Sequence, residues 1–155
     1  MSIGTDTDTI VAAEAAIRAV LDEHAAAHAA RDAERLIAPY TDDSVRFTLA
    51  PPLQQTADTH YGTVDGLRQW LATFDGPVVI EYRDPVVVVG DDVAFAHCLT
   101  QMTARPNGAP ASFSFWHRST FGFQRIDGAW RIVHEHDSTP FLMDGSFLAA
   151  TDLQP

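Results

Sequence analysis

Residues 121–141 read Phe-Gly-Phe-Gln-Arg-Ile-Asp-Gly-Ala-Trp-Arg-Ile-Val-His-Glu-His-Asp-Ser-Thr-Pro-Phe, and this stretch decides the fold. The Asp127-Gly128 pair is a favoured two-residue hairpin turn, because glycine and aspartate tolerate the positive φ angles that such turns need. Apolar and polar residues alternate on both sides of the turn, which is typical of half-buried strands. Pro140 ends the second strand, since proline has no N–H to donate to a sheet. The stretch therefore predicts two paired antiparallel strands.

Outward from this hairpin, toward the N-terminus, strands give way to helices. Strands are predicted at 44–49, 78–89, 93–103, 112–124 and 129–137. Helices are predicted at 9–30, 32–40 and 63–74, where apolar residues recur at helical spacing. Helices followed by a run of strands indicate an α+β fold. We expect a cone-like, curved antiparallel (mixed) sheet that wraps around the three helices and encloses a pocket.

The length of 155 residues fits one domain, which we place at 9–142. Residues 1–8 and 143–155 are expected to be flexible tails. No apolar run is long enough to cross a membrane, and the N-terminus lacks the pattern of a secretory leader. A cytoplasmic location is the resulting expectation.

Charge and residue usage exclude several classes of function. The net charge is −11, so phosphate backbones and anionic membranes are not expected partners. All ten basic residues are arginines, and the absence of lysine excludes Schiff-base chemistry. Cys98 is the single cysteine, which excludes an internal disulfide and a cysteine-based zinc cluster.

Counting every second residue along the strands sorts side chains into two faces. The face that we predict to point into the pocket groups His97 with Phe95, Leu99 and Gln101 on one strand. The same counting groups His134 and His136 with Ile132 and Ser138 on the last strand, and Phe115, Ser119 and Phe121 on the strand before it. A bulge would reverse the assignment beyond it.

Several stretches resemble the SnoaL-like, ketosteroid-isomerase-like branch of the nuclear transport factor 2 superfamily. Besides residues 121–141, they are Ala38-Pro-Tyr-Thr-Asp-Asp-Ser-Val45, Tyr61-Gly-Thr63, Leu67-Arg-Gln-Trp70 and Val89-Gly-Asp-Asp-Val-Ala-Phe-Ala-His97. The resemblance covers about residues 9–142 and is most specific in Trp-Arg-Ile-Val-His-Glu-His at 130–136. It implies a cone-like α+β barrel with a pocket between sheet and helices. It also implies a homodimer through the outer face of the sheet, where Trp116 and Arg118 are expected.

The resemblance also allows this sequence to be compared with the catalytic residues of known enzymes in the superfamily. The tyrosine, base carboxylate and protonated aspartate of steroid isomerases fall at His24, Thr48 and Ser119, so their machinery is not retained. The acidic residue that polyketide cyclases carry on the last strand has its nearest match in Asp137. The side chain of Asp137 is predicted on the strand face opposite to that of the histidines. No positions in this sequence can be assigned to the Asp-Arg-Asp set of the superfamily's epoxide hydrolases.

Histidine replaces these carboxylates in the predicted site, and three functions follow. The leading prediction is a small-molecule pocket protein, with a histidine-assisted isomerase or cyclase as its enzyme form, acting on an apolar substrate without a cofactor. His24 and His136 would carry protons, and Ser119 or Thr48 would donate hydrogen bonds. One alternative is a non-catalytic ligand-binding or dimerisation module. The other is a metalloenzyme with His97, His134 and His136 as ligands, since three histidines and a water form a known zinc site.

The predicted catalytic candidates are His24, His97, His134 and His136, although the last three are equally explained as hydrogen-bonded core residues. The predicted ligand-binding residues are Thr48, Trp70, Phe74, Phe95, Leu99, Gln101, Phe115, Ser119, Phe121, Ile132 and Ser138. The side chains of Glu135 and Asp137 are expected at an interface or in solvent. His28, His60 and His117 are expected to be surface or structural residues.

Overall fold

Three helices pack against one face of a five-stranded sheet in this protein, whose computed structural model describes residues 7–155. The helices are α1 (Thr7–Ala30), α2 (Ala33–Ile37) and α3 (Val64–Leu71), and the 3₁₀ turn His60–Gly62 precedes α3. The strands are β1 (Tyr40–Phe47), β2 (Val79–Val89), β3 (Val93–Ala104), β4 (Phe113–Ile126) and β5 (Ala129–Ser138). Of the tail predicted at 1–8, residues 1–6 lie outside the described residues, and the other two belong to α1.

The sheet has the strand order β1-β5-β4-β3-β2 and is mixed. Strand β1 runs parallel to β5, and all other neighbouring strands are antiparallel. The predicted α+β fold with a mixed sheet over three helices is confirmed. The parallel pair places the carboxyl ends of β1 and β5 side by side, with Phe47 opposite His136.

Side-chain caps fix where the short helices begin. The Asp32 side chain accepts a hydrogen bond from the backbone N–H of Arg35, and Thr63 accepts one from Gly66. The helix predicted at 32–40 is too long, because Pro39 already bonds into the sheet. Its carbonyl accepts a 2.8 Å hydrogen bond from the N–H of Ile132, so β1 begins at the next residue.

The main core lies between α1 and the inner, concave face of the sheet. Ile17 and Leu21 from α1 are 0% and 1% exposed and pack with Phe121, Phe123 and Ile132. A second core joins the short helices to the far end of the sheet. It contains Ala27, Ala33, Leu36, Leu71, Phe74, Val78 and Ala104.

The prediction of which β3 side chains point inward is wrong. Ala94, Ala96, Cys98 and Thr100 point inward and are buried, so Phe95, His97, Leu99 and Gln101 lie on the outer face. The reason is the space that the neighbouring strands occupy. Tyr82 from β2 and Phe121 from β4 meet with ring centroids 5.5 Å apart and fill the interior, which leaves room only for small side chains on β3.

The prediction of which β5 side chains point inward is correct up to Ile132 and wrong beyond it. Phe123 pairs with Ile132, but the next β4 residue, Gly122, pairs with His134. Val133 is therefore an extra residue, a β-bulge, that reverses the faces of everything after it. Glu135 and Asp137 turn inward, and His134, His136 and Ser138 turn outward; Ser138 accepts a bond from the outer-face Arg118 at 3.1 Å.

The segment after β5 folds back on itself. The N–H of Leu142 donates to the carbonyl of Leu148 at 2.7 Å, and the N–H of Ala150 donates to the carbonyl of Pro140 at 2.8 Å. The predicted flexibility of residues 143–155 stays a prediction. No helix within residues 7–155 is long and apolar enough to span a bilayer.

Replacing Phe121 by alanine should lower the free energy of unfolding by about 3–5 kcal/mol, because the side chain is 0% exposed. The same replacement of Phe95, which is 45% exposed on the outer face, should cost less than about 1.5 kcal/mol. Urea denaturation of dilute protein measures both. Equal costs at the two positions would contradict the assignment of the faces.

Candidate functional site

A cavity of about 350 Å³ opens between the inner face of the sheet and the helices. Its volume corresponds to about a dozen water molecules and suits a small organic molecule. The apolar wall consists of Leu36, Leu49, Ala50, Leu67, Trp70, Ile80, Met102, Phe113 and Phe115. The polar wall consists of His24, His28, Tyr40, Arg46, Thr48, Tyr61, His117, Glu135 and Asp137.

Two carboxyl groups of β5, Glu135 and Asp137, contact each other inside this cavity. Burial raises the pKa of Glu135, while the hydroxyl of Tyr40 and the charge of Arg46 oppose the rise. Burial and the charge of Glu135 raise the pKa of Asp137 well above its ordinary value. Two touching carboxyls cannot both ionise easily, so a proton shared between them is favoured.

A chain of three hydrogen bonds leads to this pair from the other side of the cavity. The Tyr40 hydroxyl donates to Glu135 Oε2 at 2.5 Å. Because that bond uses the only hydroxyl proton of Tyr40, His24 Nε2 donates to Tyr40 Oη at 3.1 Å. The unprotonated Nδ1 of His24 then accepts from the Tyr82 hydroxyl at 2.7 Å.

All three members of this chain are neutral at physiological pH. Burial, with the charges of His28 and Arg46, lowers the pKa of His24 well below its ordinary value. Burial and the charge of Glu135 raise the pKa values of Tyr40 and Tyr82 well above theirs. The tyrosines therefore remain hydrogen-bond donors, Tyr40 toward Glu135 and Tyr82 toward His24.

A second set of polar groups surrounds Asp137. The Ser119 hydroxyl donates to Asp137 Oδ1 at 2.6 Å and accepts from the Thr100 hydroxyl at 2.8 Å. His117 Nε2 lies 3.6 Å from the same Asp137 oxygen, and its buried Nδ1 has no hydrogen-bond partner among residues 7–155. Burial lowers the pKa of His117 to about 4, so the ring is neutral at pH 7.

Arg46 contributes a permanent positive charge to the site. It is 6% exposed, and its guanidinium carbon lies 4.7 Å from the centre of the Tyr40 ring. One Nη donates to the carbonyl of Tyr61 at 3.2 Å. This charge favours the ionised form of Glu135 and so opposes the rise of its pKa.

The sequence-predicted site residues are divided among three places. His24, Thr48, Trp70 and Phe115 line the cavity. Phe74, Ser119, Phe121 and Ile132 are buried in the cores around it. Phe95, His97, Leu99, Gln101, His134, His136 and Ser138 lie on the outer face, because of the inward turn of the small β3 residues and the bulge in β5.

The outer-face histidines are not brought together as metal ligands. His97 and His136 each lie opposite Thr120 of β4, so a whole strand separates them. Within residues 7–155, no group of three or more histidine, cysteine, aspartate or glutamate side chains is arranged to hold a metal ion.

Sequence reasoning missed the main polar groups of the cavity: Tyr40, Arg46, Tyr82, His117, Glu135 and Asp137. The prediction that Glu135 and Asp137 face solvent or an interface is wrong. His117, expected as a surface or structural residue, is buried and lines the cavity. One feature of the sequence points to the bulge. The apolar residues Ile132 and Val133 are adjacent, which breaks the strict alternation of the strand.

A family model for the SnoaL-like domain matches residues 17–142. The chain belongs to the SnoaL-like family. No curated protein matches it. Among solved structures, this SnoaL-like protein is similar to a nuclear transport factor 2-like protein of unknown function from Pseudomonas putida KT2440. The two are 32% identical, the match covers 94% of this chain and 98% of the other, and the TM-score is 0.79.

Two more distant structures share the fold. A proposed scytalone dehydratase of Novosphingobium aromaticivorans is 17% identical with a TM-score of 0.73, and the match covers 94% of this chain and 96% of the other. A proposed aromatic ring hydroxylase of the same species is 14% identical with a TM-score of 0.65, over 79% and 85% of the two chains. At these identities the likeness establishes the fold alone.

The neutral His117 should make stability depend on pH. Its pKa is about 4 in the folded state, below the ordinary value of 6.5, so the unfolded chain takes up a proton first as the pH falls. The stability of the wild type relative to the His117→Gln variant should therefore fall between pH 6.5 and 4, by at most about 1.4 kcal/mol per pH unit.

Urea denaturation at pH 7, 6 and 5 tests this expectation. Replacement of the exposed His60 by glutamine provides the matched control. A constant difference for His117→Gln would contradict the lowered pKa of the His117 ring in the folded protein.

Proposed function

We propose that this SnoaL-like protein is an enzyme that moves protons on a small, largely apolar organic substrate, as in dehydration, isomerisation or cyclisation. One observation carries the proposal: two carboxyl groups with raised pKa values contact each other inside a largely apolar cavity, next to a neutral histidine. Groups with shifted pKa values that converge in a cavity are typical of catalytic sites.

The proposed roles follow from the directions of the pKa shifts of Asp137 and His117 and from the distance between them. Asp137 is the acid, and it protonates a carbonyl or hydroxyl oxygen of the substrate. The neutral His117 is the base that removes a proton from carbon. In a dehydration the hydroxyl leaves as water with the proton of Asp137. His117, whose Nε2 lies 3.6 Å from the nearer oxygen of the Asp137 carboxyl group, then returns the carbon-derived proton to that group, so the enzyme regains its starting state.

The histidine-assisted prediction is kept in a changed form. His24 supports Glu135 through Tyr40 and does not carry the proton that the substrate receives. His136, the other predicted proton carrier, has no place in the proposal because it lies outside the cavity. Dehydration is also the reaction that the name of the scytalone dehydratase neighbour implies for that protein.

The competing function is a non-catalytic ligand-binding module. The cavity volume and its apolar wall serve binding as well as catalysis, so binding alone does not separate the two functions. What favours an enzyme is the carboxyl pair, because burying two ionisable groups in contact is costly and an apolar ligand gains nothing from it. The arrangement of the histidines does not support the metalloenzyme alternative.

Replacing Asp137 by asparagine or Glu135 by glutamine should lower kcat by about 10²- to 10⁴-fold, because the first removes the acid and the second removes the charge that raises the pKa of that acid. The substrate is found with a panel of hydroxylated cyclic ketones of one or two rings. Proton NMR in D₂O follows water loss and deuterium exchange at carbon.

The exposed Glu81 on β2 provides the matched control, and its glutamine variant should keep full activity. If a panel compound binds but undergoes neither exchange nor conversion, the binding module is the better description. Conversion that survives both dyad variants would reject the proposed roles.

We also propose that two copies associate through the outer face that bears Trp116 and Arg118. Large apolar side chains are exposed there: Val86, Phe95 and Leu99 are 50%, 45% and 39% exposed. Together they form an apolar patch of the kind that marks protein interfaces. The cytoplasmic location expected from the sequence stays a prediction.

Light scattering of the wild type at micromolar concentration should give the mass of a dimer, and Leu99→Glu should give that of a monomer because it places a charge in the patch. Val11, which is 59% exposed on α1, supplies the control, and Val11→Glu should remain dimeric. A monomeric wild type would reject the proposal.

A further inference from the structure

Two buried hydroxyl groups lie behind the carboxyl pair, on the side away from Tyr40. Thr100 on β3 and Ser119 on β4 are 1% and 2% exposed. Thr100 donates to Ser119 at 2.8 Å, and Ser119 donates to Asp137 Oδ1 at 2.6 Å. The Cys98 sulfur lies 3.6 Å from the Thr100 hydroxyl and extends the contact by one group.

We infer that Ser119, held in place by Thr100, is a positioning residue that determines which oxygen of the carboxyl pair carries the shared proton. The inference rests on the proposed function, because it concerns the acid that we assign to Asp137. Ser119 contacts neither the cavity nor a substrate in it, so its effect must pass through Asp137.

Two chains of donors converge on the pair from opposite sides. Tyr40 supplies the hydrogen bond to Glu135, and Ser119 supplies the one to Asp137. Each donor stabilises negative charge on the carboxyl that it contacts. A phenol is a stronger acid than an aliphatic alcohol and donates the stronger bond, so the charge resides on Glu135 and the proton on Asp137.

Within Asp137 the serine selects the oxygen. Oδ1 accepts the short bond from Ser119 and is therefore the poorer site for a proton. The proton resides on Oδ2, from which it is transferred. Thr100 fixes the direction of the serine, because its own proton goes to the serine oxygen and leaves the serine proton for Asp137.

The simpler alternative is that the two hydroxyls only join β3 to β4. The chain offers a natural comparison on the same two strands. Thr103 donates to Ser114 at 2.9 Å in an exposed pair. If joining the strands were the only role, the two pairs would behave alike.

Titration of the carboxyl carbons, followed by ¹³C NMR of protein labelled at aspartate and glutamate, tests the inference without a substrate. Other groups also face the pair, and the experiment leaves them unchanged: Tyr40 and Arg46 from β1, His24 from α1, Tyr82 from β2, Cys98 from β3 and His117 from β4. The Ser119→Ala variant should raise the pH at which the pair loses its last proton by about one unit, since a donor to the ionised form is lost.

Two further variants separate positioning from packing. Ser119→Thr keeps the hydroxyl and should titrate like the wild type, and Ser114→Ala should not move the titration. A titration of Ser119→Ala that matches those of Ser114→Ala and the wild type would overturn the inference.

If Ser119→Ala does not fold, Thr100→Val is measured instead, with Thr100→Ser as its rescue. Thr100→Val should move the titration upward by a smaller amount, and no movement would overturn the inference. The proposed function fails in a different way. Its failure would appear in the wild type, as two carboxyls that both titrate in the ordinary range of about 4.

Discussion

The bulge at Val133 is the constraint on which the site depends. A regular β5 would direct His134 and His136 into the cavity and leave Glu135 and Asp137 outside. One unpaired residue reverses the two faces of the strand, so that two carboxyl groups line the cavity in place of two imidazole rings. The bulge lies between the main core, where Ile132 packs, and the cavity, where Glu135 lines the wall. The first half of β5 therefore serves stability and the second half serves the site.

Buried carboxyls are expensive, and the surrounding groups show how the fold offsets their cost. Hydroxyl donors reach both carboxyls, and Arg46 places a positive charge nearby without a direct ion pair. The hydrogen-bond donors are themselves buried and have few alternative partners. Such a network is rigid when all of its members are satisfied, and rigidity is what a proton-transfer site needs.

The elements of the fold could be predicted from local sequence because their boundaries are chemical. Asp32 and Thr63 cap helices, Asp127-Gly128 turns a hairpin, and the strands begin and end near glycines, prolines and aspartates. The start of β1 was missed, since Tyr40 follows a short helix and only its partner β5 reveals that it is a strand.

The inside of the site could not be predicted in the same way. Alternation divides β3 into two sets, but both sets are apolar, and only the bulk of Tyr82 and Phe121 decides which one fits inside. The bulge depends on how β5 pairs with β4, which is a property of two strands and not of one. His24 alone among the predicted histidines was placed correctly, because a helix packed on the sheet presents one face to it.

The hydrogen-bond chain from Tyr82 to Glu135 also links the chemistry to the folding transition. Its members come from α1, β1, β2 and β5, and adjacent members are 58, 16 and 95 residues apart in the sequence. No partly folded form that lacks one of these elements can contain the complete chain. Opening of α1 alone would separate His24 from both tyrosines and would also expose Ile17 and Leu21 of the main core. The hydrogen-bond chain is thus complete only when α1, β1, β2 and β5 are all in place, and its integrity reports that these four elements are folded together.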